Sequence, residues 1–239
     1  MEPDEYARMD EVEARMWWYR ALHTRLLDAL GQQPDATPVL DAGCGTGGFL
    51  AALARARPSC QSFGLEWHAA AATIAAAKSN RPVARGSINE LPFADHSFGA
   101  VVAADVLCHA AVEPFRALGE IGRVLRPGGR LIVNMPAFRS LMSAHDVQVH
   151  NARRMSASET RTMLEDSGFR VRRLRYWNCL LLPLMIVQRK ILARSSGRSD
   201  VAAFPPWLDR ILHGMTELER RLGFSLPAGG SVLAIAERP

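Results

Sequence analysis

The chain has 239 residues, 48% of them hydrophobic, and a formal net charge of +5. This length allows one large core with an elaboration, and we expect a single domain of that kind. The N-terminal segment lacks the basic start and apolar run of a secretion signal, so we expect a cytoplasmic protein. The four cysteines are widely spaced, which favours buried thiols and predicts no metal site. The basic residues form short clusters rather than one run, which does not distinguish nucleic acid from an anionic substrate or a membrane surface.

The distribution of apolar residues predicts an α/β fold that begins with helices. Residues 1–36 are expected to form an N-terminal helical cap, in which three adjacent aromatic residues, Trp17, Trp18 and Tyr19, cannot share one helix face. These aromatic residues could either pack on the core or form part of a lid over a ligand, and the sequence does not choose between the two. From Thr37 onward, short apolar runs alternate with helical stretches, as in a parallel sheet wrapped by helices. Strands are predicted at 38–42, 61–66, 82–85, 98–104, 129–134, 170–177 and 231–237, and helices at 47–57, 68–78, 112–125 and 206–222.

Two later regions do not fit this alternation. Residues 135–155 are too long and irregular for an ordinary connection and are therefore a candidate functional region, before a capping box in which Glu159 follows Ser156. Residues 178–230 are expected to form a helical insert that contains the apolar run CLLLPLMIV and the basic run QRKILAR. The apolar run is too short to span a bilayer. A lid, a dimer contact and a membrane-surface contact remain open for this insert.

The segment VLDAGCGTGG, residues 39–48, places glycines between a predicted strand and a predicted helix. There, bare backbone and a helix N-terminus can closely approach a ligand. GCGTGG fits both the GxGxxG pattern of dinucleotide-binding proteins and the GxGxG pattern of S-adenosylmethionine enzymes. Glu66, at the end of the second strand, could bind the ribose of either cofactor. The glycine turn alone therefore predicts a nucleotide cofactor without identifying it.

Four segments in order, VLDAGCGTGGFL, FGLEWH, LPFADHSFGAVVAADVL and EIGRVLRPGGRLIV, together resemble the class I S-adenosylmethionine-dependent methyltransferases of the small-molecule type. The resemblance covers about residues 37–134 and extends more loosely to the C-terminus. It implies a Rossmann-like core of residues 37–177 and 231–239. This core would be a seven-stranded, mostly parallel sheet with helices on both faces and an antiparallel last strand. It also implies that S-adenosyl-L-methionine is the cofactor.

The resemblance implies positions for that cofactor as well. In the family, the residue at Asp41 lies near the methionine end of the cofactor, and Glu66 binds the ribose. The expected cofactor-binding residues are Asp41, Gly43, Cys44, Gly45, Glu66, Trp67, Ser87, Ile88, Asn89 and Asp105. Two positions depart from the family pattern, because Ser87 stands where an acid is common and Gly99 follows SF where SFD is usual.

Acceptor-binding groups are expected beyond the carboxyl ends of the fourth and fifth strands. This location points to residues 105–109 and to HDVQVHNARR at 145–154. The candidate catalytic bases are His145, His150 and His109, although these residues could instead only brace the loop. Within HDVQVHNARR, Asp146 could fix a histidine tautomer and the two arginines could hold an anion. The full set of predicted substrate-binding residues is Trp18, Tyr19, Phe138, Asp146, Arg153, Arg154 and Tyr176.

We therefore expect methyl transfer to a small or amphiphilic acceptor, with oxygen favoured over nitrogen or carbon because a hydroxyl group suits a histidine base. The region after residue 144 also resembles bacterial methyltransferases with lipid- or natural-product-related acceptors. Alternatives are an RNA or protein methyltransferase, or a cofactor-binding protein that uses the sulfonium for other chemistry. An NAD-dependent oxidoreductase is disfavoured, because no Tyr-x-x-x-Lys motif is present. No nucleic-acid partner is expected, whereas homodimer formation and membrane-surface contact remain open.

Overall fold

The predicted alternation of strands and helices is present in the protein's structure, a computed structural model that describes residues 3–31, 37–187, 204–223 and 226–239. The strands are β1 (Val39–Ala42), β2 (Ser62–Glu66), β3 (Val83–Arg85), β4 (Phe98–Ala104), β5 (Leu125–Pro136), β6 (Arg170–Trp177) and β7 (Ser231–Glu237). The helices are α1 (Pro3–Val12), α2 (Trp17–Leu30), α3 (Gly48–Ala56), α4 (Ala69–Ser79), α5 (Pro114–Val124), α6 (Ala144–Gln148), α7 (Ala157–Asp166), α8 (Leu182–Val187) and α9 (Pro206–Leu222). A short 3₁₀ helix covers Arg139–Leu141.

The strands form one seven-stranded sheet in the order β3-β2-β1-β4-β5-β7-β6. Strands β1 to β5 are parallel to one another, whereas β7 lies between β5 and β6 and is antiparallel to both. The mostly parallel sheet with an antiparallel last strand is thereby confirmed. After β1 the chain continues to one side of the sheet with β2 and β3 and then returns to the other side with β4. Ligands of open α/β sheets bind at such a reversal, beyond the carboxyl ends of the strands.

Alternating side chains of the central strands supply a core on each face of the sheet. In β4, Val102 faces the layer that contains α2 and α3, while Val101 faces the layer that contains α5 and α7. The α2 side chains Leu26 and Leu30 are fully buried in the first of these cores. Helix α2 is therefore an integral layer of the fold, and the predicted domain boundaries at 36, 177 and 230 stay predictions.

The regions that the sequence marked as irregular contain short helices. Residues 135–155 hold the end of β5, the 3₁₀ helix and α6, and the predicted capping box begins α7, where Ser156 and Glu159 exchange hydrogen bonds. The apolar run of the insert forms the six-residue helix α8, and α9 has its predicted bounds. The basic run QRKILAR lies outside the described residues. Among the described helices, none is long and apolar enough to cross a membrane.

Candidate active site

The glycine turn after β1 is held against β2 and β4. The backbone N–H groups of Gly43 and Cys44 both donate to the carbonyl oxygen of Leu65, at 2.8 and 2.9 Å. Gly43 has a φ of 91°, and a Cβ atom added there would lie 2.4 Å from Cγ2 of Val106. Such a contact is far inside van der Waals distance, and positive φ disfavours other residues. The packing of the turn on Val106 therefore requires glycine at position 43.

Two buried acids, Asp41 and Glu66, flank this turn at the ends of β1 and β2. The two oxygens of Glu66 accept hydrogen bonds from the backbone N–H groups of His68 and Gly45, each at 2.9 Å. Asp41 is only 3% exposed, and its Oδ2 atom has no hydrogen-bond partner among the described residues. Burial, together with the negative charges of Glu66 and Glu13, raises the pKa of Asp41 to about 8. A buried acid that lacks a partner and lies near other acids fits a positively charged ligand group.

A cavity of about 640 Å³ lies over the turn, beyond the carboxyl ends of the strands. All ten predicted cofactor-binding residues line it: Asp41, Gly43, Cys44, Gly45, Glu66, Trp67, Ser87, Ile88, Asn89 and Asp105. Asp105 follows β4, and Nδ2 of Asn134 donates to both of its carboxylate oxygens at 3.0 Å. Burial raises the pKa of Asp105 to about 7 despite that contact. The structure thus brings these residues to one wall, while their binding roles stay predictions.

Residues 40–133 match a family model described as a methyltransferase domain. Residues 40–133 are therefore a class I S-adenosylmethionine-dependent methyltransferase domain. The cofactor of this family is S-adenosylmethionine, and the residues present fit it. The partnerless carboxylate of Asp41 matches the positive charge of the cofactor, and the glycine turn leaves backbone free of side chains beside it.

Curated relatives include proteins with different kinds of acceptor. The chain is 30% identical to a probable S-adenosylmethionine-dependent methyltransferase of Mycolicibacterium smegmatis, over 65% of this chain and 60% of the relative. It is 29% identical to the O-methyltransferase cnsE of Penicillium expansum, over 64% and 57% respectively. It is 30% identical to a probable tRNA methyltransferase 9B of Bos taurus, over 52% and 25%. The chain therefore spans at most 60% of the length of these relatives.

A solved structure with the same fold is a complex between the Haloferax volcanii Trm112 methyltransferase activator and a putative methyltransferase. The superposition has a TM-score of 0.63 and covers 99% of this chain and 95% of the other chain. The sequences are 23% identical, so this likeness concerns the fold of the methyltransferase domain.

Helix α1 covers the cofactor side of the cavity. The Tyr6 hydroxyl group donates to Oε1 of Glu66 at 3.1 Å, and its ring stacks on His68 with centroids 4.8 Å apart. Met9 packs over the turn, since a Cβ atom on Gly45 would lie 2.7 Å from its Cε atom. Lys78 forms ion pairs with two acids of this segment, Asp10 and Glu13. These residues were not among the predicted site residues, although the spacing 6, 9 and 13 places Tyr6, Met9 and Glu13 on one helix face.

The remaining wall is largely aromatic and apolar. Trp17, Trp18 and Tyr19 all line the cavity at the start of α2, as do Met185 of α8 and Phe204 before α9. Trp18 meets Tyr19 edge to face, with ring centroids 5.1 Å apart. Adjacent positions on a helix point in different directions, yet all three aromatic side chains line the cavity. The two predicted substrate-binding residues Trp18 and Tyr19 are therefore at the cavity, and the insert contributes to the same wall.

Among the residues whose side chains the structure describes, three histidines line the cavity. His109 is half-buried, and burial lowers its pKa although the carbonyl groups of Val149 and His150 raise it. Its imidazole is therefore largely neutral at neutral pH and can accept a proton. His150 is exposed and has a φ of 57°. Burial lowers the pKa of His23 to about 4. His145 belongs to α6, but its side chain lies outside what the structure describes. His23 was not among the predicted site residues, although it follows Tyr19 by four residues and therefore lies on the same helix face.

The predicted anion-binding arginines have other partners. Asp146 is fully buried and pairs with Arg154, whose Nη2 atom is 2.8 Å from Oδ1 of Asp146. Arg154 also donates to the carbonyl oxygen of Ala137 at 3.1 Å. Arg153 lies off the cavity wall and donates to the carbonyl oxygen of His109 at 2.6 Å. That the two arginines hold a substrate anion stays a prediction, which these contacts disfavour because Arg154, although it lines the cavity, is paired with Asp146, and Arg153 lies off the cavity wall.

Phe138 and Tyr176, also predicted to bind substrate, lie outside the cavity lining. Their rings stack on each other with centroids 5.2 Å apart, and the Tyr176 hydroxyl oxygen accepts a hydrogen bond from the N–H group of Ala157 at 2.8 Å. Tyr176 belongs to β6, an edge strand that β7 separates from β5. That these two residues bind substrate stays a prediction, which their position outside the cavity lining disfavours.

Proposed function

We propose that this protein transfers the methyl group of S-adenosylmethionine to an oxygen atom of a small or amphiphilic molecule. The observation that carries the proposal is one cavity with two chemically different sides. One side holds the buried acids Asp41 and Glu66 and the half-buried Asp105, and the other holds aromatic and apolar side chains. Its volume of about 640 Å³ is typical of small-molecule sites, which measure about 300–1,000 Å³.

The acid side supports S-adenosylmethionine over a dinucleotide. A dinucleotide carries a diphosphate, which needs cations or unopposed N–H groups at the glycine turn. Here Asp41 and Glu66 flank the turn, and Glu13 lies close enough to raise the pKa of Asp41. The carboxylate of Glu66 would repel a diphosphate, whereas a positively charged ammonium or sulfonium group would also favour the ionised form of Asp41.

The apolar side supports an acceptor with a ring or a hydrocarbon portion. Trp17, Trp18 and Tyr19 present large aromatic surfaces, and Met185 and Phe204 face the same cavity. Such a wall stabilises a bound apolar group by removing its surface and theirs from water. Because α1 and α2 cover the cavity, a macromolecular acceptor would have to insert a single residue or base past these helices.

His109 is the base that best suits a hydroxyl acceptor. When bound, the cofactor supplies an electrophilic methyl group on a positively charged sulfur. The neutral imidazole of His109 accepts the proton of the acceptor hydroxyl group as that oxygen takes the methyl group. Arg153 holds the backbone of His109 through its carbonyl oxygen, and the aromatic wall excludes water and orients the acceptor.

Methylation of tRNA is the second candidate, because a relative at 30% identity is a probable tRNA methyltransferase 9B. That relative matches over 52% of this chain, a share similar in extent to the cofactor-binding core. The aromatic wall from α2, α8 and the residues before α9 lies mostly outside this core. A small-molecule acceptor therefore remains our leading proposal.

Two measurements test the proposal in sequence. Titration calorimetry with S-adenosylmethionine, its demethylated product and NAD should show binding of the first two and none of NAD. The protein is then incubated with methyl-labelled cofactor and separate acceptor pools of hydroxylated aromatics, total lipid extract and total tRNA. Label in the first or second pool, released by ether-cleaving but not amide-hydrolysing conditions, supports O-methylation. Label in tRNA alone, or binding of NAD alone, would overturn the proposal.

A further inference from the structure

The outer face of α9 carries a continuous apolar stripe. Trp207 is 62% exposed, and Ile211, Leu218 and Leu222 are each 52% exposed. Their spacing of 4, 7 and 4 residues places all four on one side of the helix. A single exposed apolar residue is ordinary, but four aligned large side chains on one helix indicate a contact surface.

The opposite face of α9 packs against the protein, so the stripe is not the side of the helix that belongs in the core. Leu212, Thr216 and Glu219 are buried there. Arg25 of α2 donates to the carbonyl oxygen of Thr216 at 2.6 Å, and Oε2 of Glu219 accepts from the N–H group of Cys179 at 2.7 Å. These bonds fix the rotation of α9 and keep the stripe turned away from the protein.

The charges beside the stripe are positive. Arg210 and Arg221 are exposed, are 11 residues apart on the same flank, and have no ion-pair partner among the described residues. The acids of α9 are all engaged. Asp209 accepts from the N–H group of Trp17 at 2.6 Å, Glu217 pairs with Arg220 at 2.9 Å, and Glu219 is buried as described. The charges that remain available at this surface are therefore cationic.

We propose that the stripe surface, which is Trp207, Ile211, Leu218 and Leu222 with Arg210 and Arg221, binds the surface of an anionic lipid bilayer. A helix with an apolar face and flanking arginines lies in the plane of such an interface, where its apolar residues enter the acyl boundary and its cations meet lipid phosphates. Tryptophan, which has an apolar ring and a polar N–H group, is enriched at this depth.

A second copy of the chain fits this surface less well. In a two-fold symmetric contact the same patch faces itself, which brings the unpaired arginines of both copies together. An anionic bilayer instead neutralises both. The position of the surface also suits a lipid-like acceptor, because Phe204, which lines the cavity, packs in the same cluster as Leu212 on the inner face of α9. Membrane binding itself does not depend on the methyl-transfer proposal.

Vesicle co-sedimentation of the full chain tests the proposal. The probes are vesicles of phosphatidylcholine alone and of phosphatidylcholine with phosphatidylglycerol, at low and high salt. We expect binding to the anionic vesicles only, and weaker binding at high salt. The double variant Trp207→Ser/Ile211→Ser should lower the partition coefficient by about tenfold or more, and Arg210→Gln/Arg221→Gln by about thirtyfold at low salt. Residues 188–203, which lie outside the described residues, are unchanged in every variant.

Matched controls remove equivalent groups elsewhere. Phe115 of α5 is also 62% exposed, so Phe115→Ser controls for the loss of a surface aromatic, and Arg85→Gln/Arg170→Gln controls for net charge. Both should bind vesicles like the wild type, and all variants should keep its melting temperature because the changed side chains are exposed. Equal binding of stripe and control variants would overturn the proposal. So would failure to bind either vesicle, including the case in which sedimentation shows a dimer that Trp207→Ser dissociates.

Discussion

Replacing Asp41 by asparagine tests whether the cavity recognises its cofactor by positive charge. Asp41 is 3% exposed, and its Oδ2 atom has no partner among the described residues. Asparagine keeps the shape of the side chain and one carbonyl oxygen but removes the charge. A hydrogen bond to a charged group contributes about 1.5–3 kcal/mol, so the affinity for S-adenosylmethionine should fall about 10- to 150-fold.

The same carboxyl group sets a pH dependence for cofactor binding. Burial raises the pKa of Asp41 to about 8 in the free protein, so the group is largely protonated at neutral pH. A bound cation favours the ionised form, and binding below pH 8 therefore releases a proton. The ionised fraction of the free protein rises from about 1% at pH 6 to about 50% at pH 8, so the ratio of wild-type to D41N affinity should rise about 50-fold over that interval.

The pKa of Asp41 also gives a stability prediction of known sign. The folded protein binds this proton more tightly than the unfolded chain, whose aspartate has a pKa near 3.8. The resulting stabilisation is complete below that value and is lost as pH rises toward the folded pKa of about 8. The free energy of unfolding of unliganded D41N should therefore fall less steeply with pH across this window than that of the wild type.

Calorimetry at pH 6, 7, 8 and 9, in two buffers with different ionisation heats, measures both the affinity and the released protons. Because the cofactor's own groups titrate equally with both proteins, the wild-type to variant ratio isolates Asp41. The exposed Asp166, at the end of α7, supplies the matched control Asp166→Asn, which should bind like the wild type. Parallel pH curves for wild type and D41N, or a loss of affinity below twofold at pH 8, would refute the role of Asp41.

Three further substitutions probe the brace, the turn and the covering helix. Asp146→Asn leaves the buried Arg154 without its partner charge and should reduce the free energy of unfolding by about 3–5 kcal/mol in denaturant titrations, whereas a loss under about 1 kcal/mol would contradict the brace. Gly43→Ala places a Cβ atom against Val106, which follows β4, at a residue with positive φ. The substitution should lower the melting temperature and, in calorimetry, the affinity for the cofactor. Wild-type values for both would exclude this packing constraint. Tyr6→Phe removes the hydroxyl group that donates to Glu66, so that the ribose no longer competes with it, and cofactor affinity should rise about 2- to 10-fold; a fall would mean that the Tyr6 hydroxyl group assists the bound cofactor instead.

The cofactor side of the site was predictable because its residues are set by local sequence. Asp41 and Gly43 lie in one ten-residue segment that contains the buried strand β1 and the turn after it, and Glu66 ends the next strand. A parallel sheet brings such strand ends to one edge, so chain order alone places them together. The resemblance to the methyltransferase family supplied the ten cofactor-binding positions, and the regular sheet explains why they meet at one cavity.

The acceptor side was only partly predictable because it depends on pairs that sequence does not reveal. HDVQVHNARR has the composition of an anion-binding loop, but Asp146 and Arg154 neutralise each other within it. Tyr176 was predicted at the cavity, whereas it lies on β6, which β7 separates from β5 in the sheet. In both cases the partners of a side chain in the folded protein, which the local pattern does not reveal, determine what it can contact.

Two consecutive helices, α1 and α2, line the two sides of the cavity. Glu66 already accepts hydrogen bonds from Gly45, His68 and Tyr6, which leaves one of its roughly four lone-pair sites open, while a ribose offers two hydroxyl groups. Cofactor binding through both hydroxyl groups therefore requires the Tyr6 hydroxyl group to leave Glu66. Tyr6 belongs to α1, and α1 leads within four residues into Trp17, where the aromatic wall begins. The segment that covers the cofactor side is therefore continuous in the chain with the segment that begins the acceptor side.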